Sequence, residues 1–340
     1  MGYLKYVIKR TLVSLITIFG IIVITFFLSR MIPGDPAWRR LPSKASYEDY
    51  LAERERLGLD QPIIVQFFIY MGDLLTGNWG VSISTIIDYP ISELINSHLP
   101  RTLEVTIISM LIAIFLGIRL GKISASHKNS KRDKIIRIFT YFFISIPGFV
   151  VVIFFMQMYI FTPIKIFPMF GIKNPRYPEP PLITGSRILD CILSKQIYLL
   201  VDYIWHLIVP VSAMVIVQMV AIIRHTRSNV LEVLQMDYIR TAEAKGCPRK
   251  QIVKKHAVKN ALPPVVTVSA MGFPIVLGGM IGVEIIYNFP GLGFLFRDAV
   301  QYTDYPLIIA IIFVYSISVI IINLIADFII SALDPRIRLK

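Results

Sequence analysis

Only two cysteines, Cys191 and Cys247, occur in 340 residues, which excludes a disulfide-stapled secreted fold. Charged residues are scarce at 17%, below the soluble average of roughly a quarter, and this excludes a disordered chain and a coiled-coil rod. No Gly-x-x-x-x-Gly-Lys-Ser/Thr phosphate loop is present, so the chain is not expected to hydrolyse nucleotide itself. The five histidines, His98, His127, His206, His225 and His256, lack His-x-x-x-His spacing and no Cys-x-x-Cys accompanies them, so no metal site is expected. Nothing groups Ser, His and acidic residues into a nucleophile site. What the chain has in excess is apolar: 55% hydrophobic residues and a mean hydropathy of +0.66 place it in the membrane class.

A helix needs about 20 apolar residues to cross the hydrocarbon core. Six stretches qualify: Thr11–Ser29, Thr102–Ile118, Ile138–Phe161, Ile204–Ile223, Leu262–Tyr287 and Pro306–Ile330. The first follows Lys5, Lys9 and Arg10 as a signal peptide would, but its apolar run is too long and Leu28-Ser29-Arg30-Met31 offers no small-residue cleavage site, so it reads as a retained helix. With the N-terminus inside, residues 1–10, 119–137, 224–261 and 331–340 are cytoplasmic. They hold 22 Lys and Arg in 77 residues, against 13 in the 132 residues left outside. That roughly three-fold bias follows the positive-inside rule. It accounts for the net charge of +13 without nucleic acid. The expectation is an all-α integral membrane protein of six transmembrane helices, with N- and C-termini cytoplasmic and Cys191 and Cys247 on opposite sides.

The segments are residues 1–29, with the first helix; 30–101, a large extracytoplasmic loop; and 102–340, a five-helix core. Within the first loop, Tyr47–Leu57 reads as an amphipathic helix ended by Gly58. Gln61-Pro62 starts another through about Leu75, with Ile63, Ile64, Phe67, Phe68 and Met71 along one face. The 162–203 loop carries six prolines from Pro163 to Pro181 and is expected to be irregular yet packed through its aromatic residues. The 224–261 cytoplasmic loop reads as helix from Asn229 to Lys245, a turn at Gly246-Cys247-Pro248, and a second helix from Pro248 to Asn260. Such a unit is a rigid docking element.

Ionisable residues in the spans are Glu104, His206, Glu284 and Asp327. Three lie near span ends, where snorkelling suffices. Glu284 follows Pro274 and Gly278-Gly279, which permit a kink and close helix approach. It either lines an aqueous translocation path with them or makes an interhelical hydrogen bond.

Arg240-Thr241-Ala242-Glu243-Ala244-Lys245-Gly246, followed by His256-Ala257-Val258-Lys259-Asn260-Ala261-Leu262-Pro263, resembles the EAA loop of ATP-binding cassette importer permeases, in their dipeptide/oligopeptide/nickel branch. Pro33-Gly34-Asp35-Pro36-Ala37, Leu57-Gly58-Leu59-Asp60-Gln61-Pro62, Ser145-Ile146-Pro147-Gly148-Phe149, Phe289-Pro290-Gly291-Leu292-Gly293, Asp304-Tyr305-Pro306 and Leu333-Asp334-Pro335-Arg336-Ile337-Arg338 extend the resemblance over nearly the whole chain. It implies an inner-membrane, multi-pass permease working with a second homologous permease as a heterodimer, two cytoplasmic ATPases that use ATP and Mg, an extracytoplasmic binding protein and membrane lipid. The chain itself would bind no cofactor and catalyse no reaction. Asp237, Arg240, Thr241, Ala242, Ala244, Lys245 and Gly246 would form the coupling helix, with Arg240 departing from the usual Glu and Pro263 one turn later than the general pattern. Peptides are the expected cargo, with nickel or a metal chelate as the alternative. A gradient-driven secondary transporter would show midplane polar residues and an inverted repeat, and a membrane enzyme would show clustered catalytic groups. Neither pattern is found.

Overall fold

The computed structural model describes residues 3–31, 35–42, 44–162, 167–248 and 251–333. Pro33 and Gly34 of the first signature, Pro163, Arg249, Lys250 and the Asp334-Pro335-Arg336-Ile337-Arg338 run lie outside the described residues. In chain order the helices are α1 (Tyr3–Met31), α2 (Pro36–Arg40), α3 (Tyr47–Arg56), α4 (Ile63–Thr76), α5 (Ile91–Ser126), α6 (Lys131–Phe143), α7 (Gly148–Phe161), α8 (Arg187–Leu193), α9 (Ile197–Val233), α10 (Asp237–Ala244), a π-helical turn (Ile252–Ala257), α11 (Val258–Tyr287), α12 (Leu292–Gln301) and α13 (Tyr305–Leu333). Among the described residues the one β pairing is an isolated bridge between Val81 and Pro90.

Among the described residues five helices, α1, α5, α9, α11 and α13, are long and apolar enough to span a membrane. The sixth expected span, Ile138–Phe161, is not one helix. It is α6 and α7, bent by 101° at Ile144–Pro147. Pro147 has no N–H to continue the helix and biases Ile146 away from helical dihedrals, so the break follows from local chemistry.

The spans also run beyond their apolar windows. Helix α5 starts at Ile91, so the first loop ends at Pro90 rather than Arg101, and α9 runs from Ile197 to Val233 across both expected boundaries. At 1.5 Å per residue the 36 residues of α5 extend about 54 Å, well past a hydrocarbon core of about 30 Å. Their ends stand in the polar layers.

Helices α5 and α9 form the centre, with α7 and α11 packed on α9 and α13 on α11. The α5–α9 contact is close because Gly117 and Gly121 sit one turn apart on α5. A Cβ at Gly117 would fall 2.6 Å from Ile222 Cγ2, and one at Gly121 would fall 2.6 Å from Thr226 Cβ and 2.8 Å from the Ile223 carbonyl. Small residues at this spacing let two backbones approach where lipid supplies no hydrophobic drive. On the outer flank, α1 packs on α13, and α4 closes that pair by setting Phe67 against Phe26 at a centroid distance of 5.3 Å.

From Phe167 the 162–203 loop is irregular up to Gly185, then forms α8. Past Pro181 the segment holds no proline, and the Ser186 hydroxyl accepts from Leu189 N–H at 3.2 Å to cap the helix. The loop is packed, as its aromatic content suggests: Phe167 lies 5.8 Å from Trp205 between centroids.

Candidate functional site

Two sets of residues singled out by the sequence lie at opposite ends of the bundle. At the first end, α9 stops at Val233 and the chain reverses through Leu234–Met236 before α10. The continuous helix expected from Asn229 to Lys245 is therefore broken, although no Gly or Pro stands there. The break turns α10 so that Ile239, its one buried residue, faces inward, against the π-helical turn on which α10 packs.

Helix α10 ends in a complete Schellman motif. Gly246 has φ +75°, its N–H donates to Glu243 O at 2.9 Å, and Cys247 N–H donates to Ala242 O at 3.1 Å. A left-handed residue at that position favours glycine. The helix expected from Pro248 to Asn260 is instead a π-helical turn at Ile252–Ala257 that runs directly into α11. Asn260 donates to the Tyr238 hydroxyl at 3.0 Å, tying α10 to the start of α11. Around this anchor Asp237, Arg240, Thr241, Ala244, Lys245 and Gly246 are exposed and Ala242 is half-buried. The Asp237 and Arg240 side chains, 96% and 75% exposed, meet at 3.3 Å. A helix with a locked end thus presents an exposed polar face.

At the other end, Glu284 is fully buried. Thr102 Oγ1–H donates to its carboxylate at 2.6 Å, and the Gly293 and Phe294 N–H groups donate at 2.6 and 3.0 Å. Thr102 in turn accepts from Leu292 N–H at 2.7 Å. The carboxylate and the hydroxyl therefore cap the N-terminus of α12, whose N-cap, Gly291, has no side chain to do so. This explains both glycines of Phe289-Pro290-Gly291-Leu292-Gly293. A Cβ at Gly291 would collide with the Glu284 carboxylate, and one at Gly293 would lie 2.7 Å from Ile281 Cα. Of the two readings of Glu284, the geometry is that of a hydrogen bond between elements.

The residues grouped with Glu284 do not gather around it. Pro274 and Gly278 line a cavity of about 510 Å³ between α1, α11 and α13, together with Thr17, Tyr315, Ser316 and Asn323. Gly279 looks the other way, toward Met214 of α9. Asp327 falls in α13, its side chain outside what is described.

Several functional-looking groups carried no motif of their own. Asp133 is buried and receives Arg227 Nε and Nη2 at 2.9 and 3.0 Å, Ser124 Oγ–H at 2.5 Å and Asn129 N–H at 2.9 Å. It joins α5, α6 and α9, and its one sequence signal is the capping pattern Ser130-x-x-Asp133. Asp304, also buried, receives Ser82 Oγ–H at 2.6 Å and the Ser84 and Thr85 N–H groups at 3.2 and 3.0 Å. It pins the first loop to the start of α13. Glu104 receives Ile188 N–H at 2.9 Å, Tyr203 OH at 2.8 Å and the Ser186 hydroxyl, so it holds α8 rather than snorkelling. Nearby, Glu179 pairs with buried Arg187 and with Lys173. Burial opposes the Glu179 charge, but the two cations outweigh it and hold the carboxyl below its ordinary value. Among the described residues no three or more His, Cys, Asp or Glu converge as metal ligands would.

The chain matches the family model for the inner membrane component of binding-protein-dependent transport systems over residues 113–339, and the N-terminal model of such membrane components over residues 3–106. It is 39% identical to the dipeptide transport system permease protein of Alkalihalophilus pseudofirmus, across 98% of this chain and 99% of that one. Identity is 35% with the oligopeptide transport system permease protein of Bacillus subtilis, over 98% and 99% of the two chains. With the glutathione transport system permease protein of Shigella flexneri it is 34%, over 99% and 100%. Among solved structures, the inward-facing MetNI methionine ABC transporter superposes with a TM-score of 0.53 at 16% identity, covering 72% of this chain and 97% of that one. The last likeness is one of fold.

Proposed function

The chain belongs to the binding-protein-dependent transport system inner membrane component family and is a multi-pass inner-membrane permease subunit of an ABC importer; we propose that its pathway carries di- and oligopeptides. The relatives named for dipeptides, oligopeptides and glutathione support a peptide-class cargo over nickel or a metal chelate. A partner ATPase and a binding protein follow from the family. On our reading the working unit is a heterodimer of two homologous permeases with two ATPases, which use ATP and Mg. Both termini and α10 lie in the cytoplasm, and the end built around Glu284, Asp304 and Glu104 meets the binding protein.

The observation that carries the mechanism is α10, a helix locked at its end by Gly246 and left exposed along the face of Asp237, Arg240, Thr241, Ala244 and Lys245. ATP-driven closure of the ATPases moves α10 as a unit. Because it is tied to α11 through Asn260 and the π-helical turn, that motion changes how α11 sits on α9. A change of this kind needs contacts that differ between the two states of the ATPase pair, not a wire through the protein.

The test is a Thr241→Cys variant, with Cys191 and Cys247 replaced by serine, in the assembled complex. A crosslink from residue 241 to the ATPase whose yield changes on adding ATP is expected. Absence of that crosslink in every nucleotide state would remove α10 as the coupling element. Gly246→Leu provides the companion measurement. A Cβ there meets nothing within 4 Å, so the variant strains the turn without an internal clash, and transport is expected to fall while the complex still assembles.

A further inference from the structure

Helix α6 is amphipathic. Its first turns carry Lys131, Arg132 and Lys134, and its outward face carries Ile135, Ile138, Tyr141 and Phe142, each 63–67% exposed. A basic, amphipathic helix bent 101° from its successor has the character of an interfacial helix. Between it and the ends of α5 and α9 opens a cleft of about 290 Å³, lined among others by Arg137, Tyr141, Arg224, Arg227 and Ser228.

The charge in this cleft is uncompensated. Three guanidinium groups, of Arg137, Arg224 and Arg227, line the cleft, and the one carboxylate that Arg227 and Arg137 approach, Asp133, is already occupied by Arg227, Ser124 and Asn129. Arg137 stands 3.8 Å from Asp133, and its buried Nε has no hydrogen-bond partner. Arg224 is exposed on the rim. Planar guanidinium forks suit phosphate oxygens in particular.

We propose that this cleft binds the phosphate of an anionic phospholipid headgroup, held by Arg137 and Arg224 with the Tyr141 and Ser228 hydroxyls, while the acyl chains lie along the apolar face of α6. The position explains why the lipid and not a soluble anion is the occupant. The cleft opens beside the exposed Ile138, Tyr141 and Phe142 surface, so a headgroup seated there has its chains already against a matching face. Basic pockets between helices at a membrane surface recognise lipid headgroups in this way.

The experiment uses the assembled complex in lipid nanodiscs that contain diazirine-bearing phosphatidylglycerol or phosphatidylcholine at equal mole fraction, with labelled peptides mapped by mass spectrometry. Phosphatidylglycerol is expected to label α6 and the end of α9 in preference to phosphatidylcholine. Arg137→Gln and Arg224→Gln should each reduce that preference by roughly five-fold. Arg224 is exposed and takes no part in the Asp133 clamp, so its variant keeps the fold and the result stays readable even if Arg137→Gln assembles poorly. Equal labelling by the two lipids, or a preference that Arg224→Gln leaves unchanged, would overturn the proposal. Inorganic phosphate at millimolar concentration is the second arm, with chloride matched for ionic strength. If phosphate alone abolished the preference, the occupant would be a free anion and the lipid assignment would be wrong.

Discussion

Three carboxylates at one end of the bundle and the Asp237–Arg240 pair on α10 at the other are treated in opposite ways. At the end that holds Glu284, Asp304 and Glu104, each carboxylate receives three or more donors from other elements, and two of the three are fully buried. At the α10 end, Asp237 and Arg240 are exposed and bonded only weakly to each other. Those three carboxylates are satisfied within one chain. On α10 the scaffold is locked and the polar face is left exposed, which fits the proposed seating of this helix in another subunit.

Substitution can break that contrast, beginning with the largest effect. Glu284→Ala strands the Thr102, Gly293 and Phe294 donors in a buried site, and at roughly 1–3 kcal/mol per orphaned group the loss should be about 3–9 kcal/mol. Detergent-solubilised complex should show it as a marked fall in Tm, and Glu284→Gln should restore part of it. A Tm unchanged by Glu284→Ala would mean that the cap is not needed.

Gly121→Leu tests the core that both ends share. With a backbone carbonyl 2.8 Å from the new Cβ, the α5–α9 pair must separate, at about 1–3 kcal/mol or more. Reduced thermal stability and lower yield of assembled complex are expected, whereas wild-type behaviour would show that the close approach is dispensable.

A smaller effect distinguishes loop order by pH. Because Glu179 titrates below its ordinary 4.5, its pairing with Arg187 and Lys173 contributes order that is fully present above that value and is lost as pH falls through the lower, folded-state one. Hydrogen-exchange protection in residues 173–190, relative to the intrinsic rate at each pH, should be high at pH 6 and fall only in the acid range, and Glu179→Gln should remove that pH dependence. The smallest effect belongs to the α10 face. Asp237→Ala should change stability by less than about 0.5 kcal/mol, yet alter coupling of ATPase activity to transport. A large stability loss there would place Asp237 among structural groups.

Part of this architecture is legible in the residues themselves. The apolar runs, the basic bias of alternate loops and the Gly246 stop follow from composition and local dihedral preference, and α3 and α4 occupy the stretches expected at Tyr47–Leu57 and from Pro62 to about Leu75. The bend between α6 and α7 has a local signal in Pro147, but the unbroken apolar run on either side masks it. The break at Leu234–Met236 has none, because no residue there forbids a helix and the reason lies in where Ile239 must be buried. The same holds for Asp133 and Arg227, 94 positions apart, and for Asp304 and Ser82, 222 apart.

The sequence by itself determined that the chain spans a membrane, which runs supply its apolar helices, and which short segment ends in a left-handed glycine. These depend on hydrophobicity and backbone sterics, which are local. Tertiary structure alone decided that the Glu284 carboxylate caps α12, that Gly117 and Gly121 bring α5 and α9 together, and that Arg227 and Arg137 converge on one carboxylate, Asp133. Each of those depends on which distant groups meet, and hydrogen bonds and close packing act only at contact.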